Sequence, residues 1–416
     1  MNILNIRNLF RLAVLAASLA GAAKAEPLTF AAALSRAVRE APTLAASAAR
    51  IDAGRQAAIP ADALPDPQLT LGLENVPIEG SNRFSLDSEA MTMRRIGVMQ
   101  AFPNRAKRAA RAAAAQADIG QAEAEAAQTR LSVRRDTALA WIRRHTAEAQ
   151  LQHIAALVEE NHLLQAAVRA RLAGGKAAAA ETVAPREEAA LIAEREEALR
   201  ASRDQAIAAL QRWVGAAAAW PLAGEPPAWP IERETLLGQV RRHPDLVLLD
   251  AKARALDAGI GEAQAATRPD WSLGFAYQVR GAQFGDMASI ELGFDLPLFA
   301  AKRQTPRIEA RRHERAALDA DYQSALRALT AELDSDLAEY RRLQQALTRQ
   351  RDVLLPLAEE RVALTLAAWR GGQGNLAELI AARRARIDAE LRAVELAGAR
   401  GEMAARLHFT YAGEPS

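Results

Sequence analysis

Cysteine is absent from all 416 residues. That excludes disulfides, a thiolate metal site and a lipid-bearing cysteine. Aromatic residues make up only 5% of the chain, and alanine supplies much of the 50% apolar share. Such a composition is too thin for a bulky globular core and favours long helices. A surplus of one charge is missing as well, since 53 Lys and Arg face 51 Asp and Glu for a net charge of +2. The pI of about 9.1 therefore reflects near balance, and nucleic acid is not expected as a partner, because phosphate binding needs a concentrated excess of cations. Beyond the N-terminal run, no segment stays apolar and uncharged for the roughly 18 or more residues of a membrane helix; a membrane location would require strands. No Gly-rich phosphate loop, HExxH motif or Ser/His/Asp framework is found, so neither an enzyme nor a cofactor is expected.

The N-terminus carries an export address. Arg7 and Arg11 precede the apolar run Leu12–Ala20, and Ala23-Lys24-Ala25 fits a small-x-small cleavage site. This predicts a signal peptide over residues 1–25 and a mature chain from Glu26.

The mature chain is written twice. Ala41-Pro42 is answered by His243-Pro244, Pro65-Asp66 by Pro269-Asp270, Phe102-Pro103 by Leu296-Pro297, Ala138–Arg144 by Asp336–Arg342, and Gly174-Gly175 by Gly371-Gly372. The order is the same in both halves, with a spacing of about 200 residues. The reading is a first repeat over residues 26–219, a linker over 220–230, a second repeat over 231–410 and a tail over 411–416. Prolines and glycine in Trp220–Pro230 forbid helix there. Each copy predicts one helix (about Thr29 to Pro60, then Glu234 to Ala266), two alternating segments, a very long helix, a Gly-Gly turn and a second long helix.

The alternating segments read as strands. Leucine takes every second place in Leu69–Leu73; Leu273, Phe275, Tyr277 and Val279 alternate with small or polar residues, as do Ile290, Leu292, Phe294 and Leu296. Met91–Phe102 is rougher, with Ile96 and Val98 as its clearest pair. Each has the length of a tilted membrane strand. Val76–Ala90 and Arg280–Asp286 read as water-facing loops. From Arg105 to Leu172 there is no proline, and Ile154, Leu157, Leu164 and Val168 keep a helix-packing rhythm, as do Leu326, Leu329, Leu333, Leu337, Tyr340 and Leu347. Such a helix extends about 100 Å.

Four strands cannot close a barrel, and an open sheet edge cannot sit in lipid, so several chains must share one barrel. The polar strand faces, with Thr70, Glu74, Ser272, Gln278, Glu291 and Asp295, then line a lumen. The bland alternative is a soluble sandwich whose polar faces meet bulk water.

This duplicated helix, strand, strand, helix, helix order, with matching Pro-Asp strand starts and Gly-Gly turns, resembles the TolC family of outer-membrane efflux ducts from about Leu28 to Phe409. The resemblance implies a mixed α/β, mainly α fold: a homotrimer with a twelve-stranded β-barrel and a long periplasmic helical coiled-coil tunnel. It also implies a periplasmic adaptor protein and an inner-membrane resistance-nodulation-division pump as partners, with outer-membrane lipid around the barrel. A narrower resemblance, carried by Pro67–Pro77, Met91-Thr-Met93 and Gln100–Pro103, is to the CzcC-like and CusC-like heavy-metal branch, and it implies metal cations as cargo. Organic-compound efflux, protein secretion and, in another class, a periplasmic coiled-coil scaffold are the alternatives.

In the family, acidic residues after the second turn ring the closed periplasmic end. Glu378 matches the first such position, the second falls on Ala381, and Glu181 is its counterpart in the first copy. The alternative for both is a helix-start glutamate. Gly174, Gly175, Gly371, Gly372, Asn375 and Leu376 are candidates for contact with the adaptor, while Trp369 is expected to pack internally. The six histidines are scattered, and Met91, Met93 and Met99 suit plain packing better than soft-metal binding. The basic clusters Arg105, Lys107, Arg108, Arg111 and Lys302, Arg303, Arg307 are expected to meet lipid headgroups, pair between chains or face solvent.

Overall fold

A computed structural model describes residues 27–176 and 178–411. The predicted signal peptide, and all but the first residue of the predicted tail, lie outside these. Strands are β1 (Leu28–Thr29), β2 (Gln68–Glu74), β3 (Met93–Phe102), β4 (Leu222–Ala223), β5 (Asp270–Val279) and β6 (Met287–Asp295). The α-helices are α1 (Phe30–Glu40), α2 (Pro42–Ala58), α3 (Arg105–Ala173), α4 (Ala184–Val214), α5 (Arg233–Gln239), α6 (Pro244–Ala265), α7 (Ala300–Arg349), α8 (Leu355–Arg370) and α9 (Leu376–Tyr411).

Two compact units form, and each draws on both halves of the sequence. Among the described residues, one comprises those up to 45, 129–243 and those from 329 onward; the other comprises 46–128 and 244–328. The single helix expected at the start of each copy is two helices instead. Ala41 is extended (φ −64°, ψ 120°) before Pro42, and His243 (φ −58°, ψ 134°) before Pro244. Proline disfavours helical backbone in the residue before it, yet starts a new helix well. The repeated X-Pro pair is thus a repeated break.

The first unit is helical, with a small parallel pairing of β1 and β4. Its largest cluster surrounds Trp141, which is fully buried, donates its indole N–H to the Leu28 carbonyl at 3.1 Å and meets Phe30 edge-on. Arg144, one turn on, is also buried and donates to the carbonyls of Ala218 and Trp220. Smaller layers follow along the helices: Ile154, Leu157, Ile192, Ile387 and Leu391 in one, Leu164, Val168, Trp369, Leu376, Leu379 and Ile380 in another. These include all four positions of the rhythm read in α3. Each such side chain contributes about 1.5–3 kcal/mol by leaving water. Gly398 marks a close helix crossing, since a Cβ there would lie 2.3 Å from Thr146 Oγ1.

The second unit holds the sheet. Its order is β2-β3-β5-β6, antiparallel throughout, so β3 and β5 join the two repeats. All four strands fall where alternation predicts them.

Candidate functional site

The sheet has two unlike faces. Rows across it follow from the register: Leu69, Val98, Phe275 and Ile290 form one, and Leu71, Ile96 and Tyr277 belong to the next. This face is apolar yet exposed, with Leu71 at 73% and Ile290 at 75%. Toward the helices it ends in Phe102, Trp271 and Phe294, with Phe102 stacked on Trp271 at 4.1 Å. An aromatic row closing an apolar band is the pattern of a membrane interface. Ten residues of β5, tilted by about 40°, cover about 25 Å, the height of such a band.

The opposite face is small and polar. Register and pleat bring Thr70, Glu74, Ser272, Gln278, Glu291 and Asp295 together on it. Thr70 donates to the Gly97 carbonyl, and Gln278 to Ser289 Oγ at 2.8 Å. The face is crowded: a Cβ on Gly97 would lie 2.9 Å from Thr70 Oγ1, and one on Gly293 would lie 2.6 Å from Ser272 Oγ.

Arg95 occupies the same face. Its guanidinium lies 2.9 Å from a Glu74 oxygen and 3.6 Å from Glu291. It is not among the residues that alternation singles out, because Arg94 beside it and Gln100 further on place polar groups on the apolar face and blur the pattern. Both have local partners: Arg94 pairs with Asp87, and Gln100 donates to the Pro65 carbonyl. The pair Ile96 and Val98 nonetheless fixes the face of Arg95.

Where strands meet helices, Asn104 and Asp270 form a knot. Asn104 donates its backbone N–H to Asp270 Oδ1 at 2.8 Å, and its amide reaches the same oxygen and the Ala265 carbonyl. Its own oxygen accepts from Lys107 N–H, starting α3, while Lys107 Nζ reaches Asp270 Oδ2 at 2.8 Å. This corrects the reading of the basic cluster. Lys107, Arg108 and Arg111 pair within the chain, with Asp270, Asp62 and Glu262, whereas Arg105, Lys302, Arg303 and Arg307 are exposed.

The two Gly-Gly turns share one hydrogen-bond plan. Lys176 N–H donates to Arg171 O and Gly175 N–H to Leu172 O; Gln373 donates to Ala368 and Gly372 to Trp369 in the same way. Gly175 (φ 69°) and Gly372 (φ 76°) are left-handed, while Gly371 stays helical at φ −74°. This is a Schellman ending, in which only the second glycine is conformationally required. Arg171 ties the turns together, donating to the Trp369 and Lys176 carbonyls with its guanidinium over the Trp369 ring at 4.5 Å.

Gly174, Gly175, Gly371, Gly372 and Asn375 are exposed at this tip. Leu376 is not. It is buried at 4% among Leu164, Val168 and Trp369, so it packs the helix pair and presents no surface to a partner. Trp369 is buried, as expected. Glu378 is exposed and shares a reciprocal cap with Asn375, whose oxygen accepts the Glu378 N–H at 2.8 Å and whose amide donates back to the carboxylate. Glu181 likewise accepts the Ala178 N–H at 2.9 Å. The helix-start role is therefore present for both, and it leaves carboxylate oxygens over for a second role.

Among the described residues no group of three His, Asp or Glu could hold a metal ion. Met93, Met99 and Met287 fall on the polar face by register but on different strands or rows.

Residues 33–216 match the family model of outer membrane efflux proteins. No curated protein sequence matches significantly. Among solved structures, the chain is similar to CusC, described as forming a transmembrane channel, with TM-score 0.77 and 18% identity over 92% of both chains. It is similar to a membrane protein from Pseudomonas aeruginosa, with TM-score 0.78 and 18% identity over 93% of this chain and 92% of that one. It is also similar to the outer membrane protein VceC from Vibrio cholerae, with TM-score 0.74 and 20% identity over 93% of this chain and 97% of that one. The sequence of the first repeat thus matches outer membrane efflux proteins, and the fold carried through both repeats is that of solved outer-membrane channels.

Proposed function

We propose that three copies of this chain close one twelve-stranded barrel in the outer membrane and work as a passive export duct. The observation that carries the reading is the four-stranded sheet itself. Its outer strands β2 and β6 each have one neighbour in the sheet, and one whole face is apolar and exposed. In lipid an unpaired strand edge costs several kcal/mol per group. Pairing β2 of one copy with β6 of the next satisfies both edges and leaves the apolar face to acyl chains. Thr70, Glu74, Ser272, Gln278, Glu291 and Asp295 then line the lumen.

A passive duct needs a driven partner, and the tip residues Gly174, Gly175, Gly371, Gly372 and Asn375 offer a surface to a periplasmic adaptor joined to an inner-membrane resistance-nodulation-division pump. Heavy-metal cations are the preferred cargo. The hairpin resemblance over Pro67–Pro77 supports that choice over organic compounds or secreted protein. A periplasmic coiled-coil scaffold would use the helices but leave the exposed apolar face without a role.

The test is direct. Outer-membrane fractions should contain a heat-modifiable trimer, and the purified protein should open pores in planar bilayers. A purely soluble periplasmic pool without conductance overturns the reading. For the cargo, a host lacking the chain should become sensitive to transition-metal salts more than to detergents or dyes.

A further inference from the structure

We propose that Arg95, Glu74 and Glu291 form a selectivity element on the inner wall of the barrel, a fixed charge cluster that favours cations over anions. The inference rests on the duct reading and adds to it the residues that sort ions within the barrel.

Arg95 on β3 reaches Glu74 on β2 at 2.9 Å and Glu291 on β6 at 3.6 Å. One guanidinium thus links strands from edge to edge of the sheet. Between its row and that of Glu291 lies the row Thr70, Gly97, Ala276 and Ser289. These side chains are short, so the arginine can cross above them. Gly97 has no room for a Cβ, which keeps the crossing clear. Together with Thr70, Ser272 and Gly274 the three charged groups border a cavity of about 330 Å³.

The charge count decides the sign. One guanidinium meets two carboxylates, leaving one excess negative charge per chain. The positive group is shared between two acids and is not offered to a passing anion. The Glu291 side chain, at 76% exposure, keeps its carboxylate open to the space beside it. Asp270 adds nothing to this balance, because Lys107 holds it, while Asp295, exposed on the same face two rows nearer the helices, adds a further negative charge outside the cluster. Three copies around an axis place the same excess on every side of the lumen, where low-dielectric walls focus the field and raise the local cation concentration. Arg95 is then a restraint on selectivity, and the two glutamates are its source.

The full chain in planar bilayers under a KCl gradient tests this through the reversal potential. The wild type should prefer K⁺ over Cl⁻. Arg95→Gln should raise that permeability ratio by about twofold or more, the scale of one unit charge acting through water over several ångströms. Arg95→Lys should stay near wild type. Glu291→Gln, at an exposed position where folding is not at stake, should lower the ratio, and the double change Glu74→Gln with Glu291→Gln should lower it further, toward one, where Asp295 offsets Arg95. Conducting variants whose ratios all equal that of the wild type overturn the inference. A wild type that does not conduct overturns the duct reading instead.

Discussion

At the scale of single residues, the two glycines of each turn are not equivalent. Gly372 sits at φ 76°, where a Cβ costs about 1–2 kcal/mol. Gly371 is helical, and a Cβ there meets the Ala367 carbonyl at an ordinary 3.4 Å. Gly372→Ala should therefore lower stability by about 1–2 kcal/mol, while Gly371→Ala should be neutral or raise it by a few tenths. Denaturant unfolding of the purified protein measures both, and an equal loss for the two would refute the Schellman assignment. The sequence marks both positions as Gly-Gly and cannot rank them, because the distinction lies in backbone angles. Leu376 teaches the converse. Its place just after the turn looks like surface, yet the first helical turn of α9 already faces the core layer of Leu164 and Val168.

At the scale of elements, alternation and helix rhythm expose most of the architecture. Leu69–Leu73, Leu273–Val279 and Ile290–Leu296 show their faces because every second residue agrees, and the leucines of α3 and α7 show their seam. What stays hidden are contacts between distant positions. Nothing near Asn104 in the sequence reveals that Asp270, over a hundred residues away, shares its hydrogen bonds. Arg95 is hidden for a related reason: its two partners lie on other strands. The Asn104–Asp270–Lys107 knot gives a measurable consequence. Asp270→Ala removes an ion pair and the acceptor of two further bonds from a half-buried place, and it should cost about 2–3 kcal/mol. Lys107→Met should cost less, since Asn104 still satisfies the carboxylate. The double variant should fall short of the sum, because both changes remove the same ion pair. Denaturant titrations of the four proteins check this, and strict additivity would show the pair to be uncoupled.

At the scale of the whole molecule, the threefold repetition of the proposed trimer would change what one side chain can do. A lone exposed carboxylate such as Glu378 is worth little beyond its helix cap. Three of them near one axis would form a site for divalent cations, since closely spaced like charges repel each other less once a doubly charged ion sits among them. On that reading, millimolar Mg²⁺ or Ca²⁺ should reduce the single-channel conductance of the wild-type pore. Glu378→Gln isolates the charge, because glutamine can still serve the cap shared with Asn375 and the tip should keep its shape. The expected outcome is loss of most of the divalent block with the trimer intact. Glu181→Gln should have a smaller effect, since its carboxylate is half-buried and already accepts the Ala178 N–H. A Glu378→Gln pore blocked as strongly as the wild type would reduce Glu378 to its capping role and move the constriction elsewhere in the tunnel.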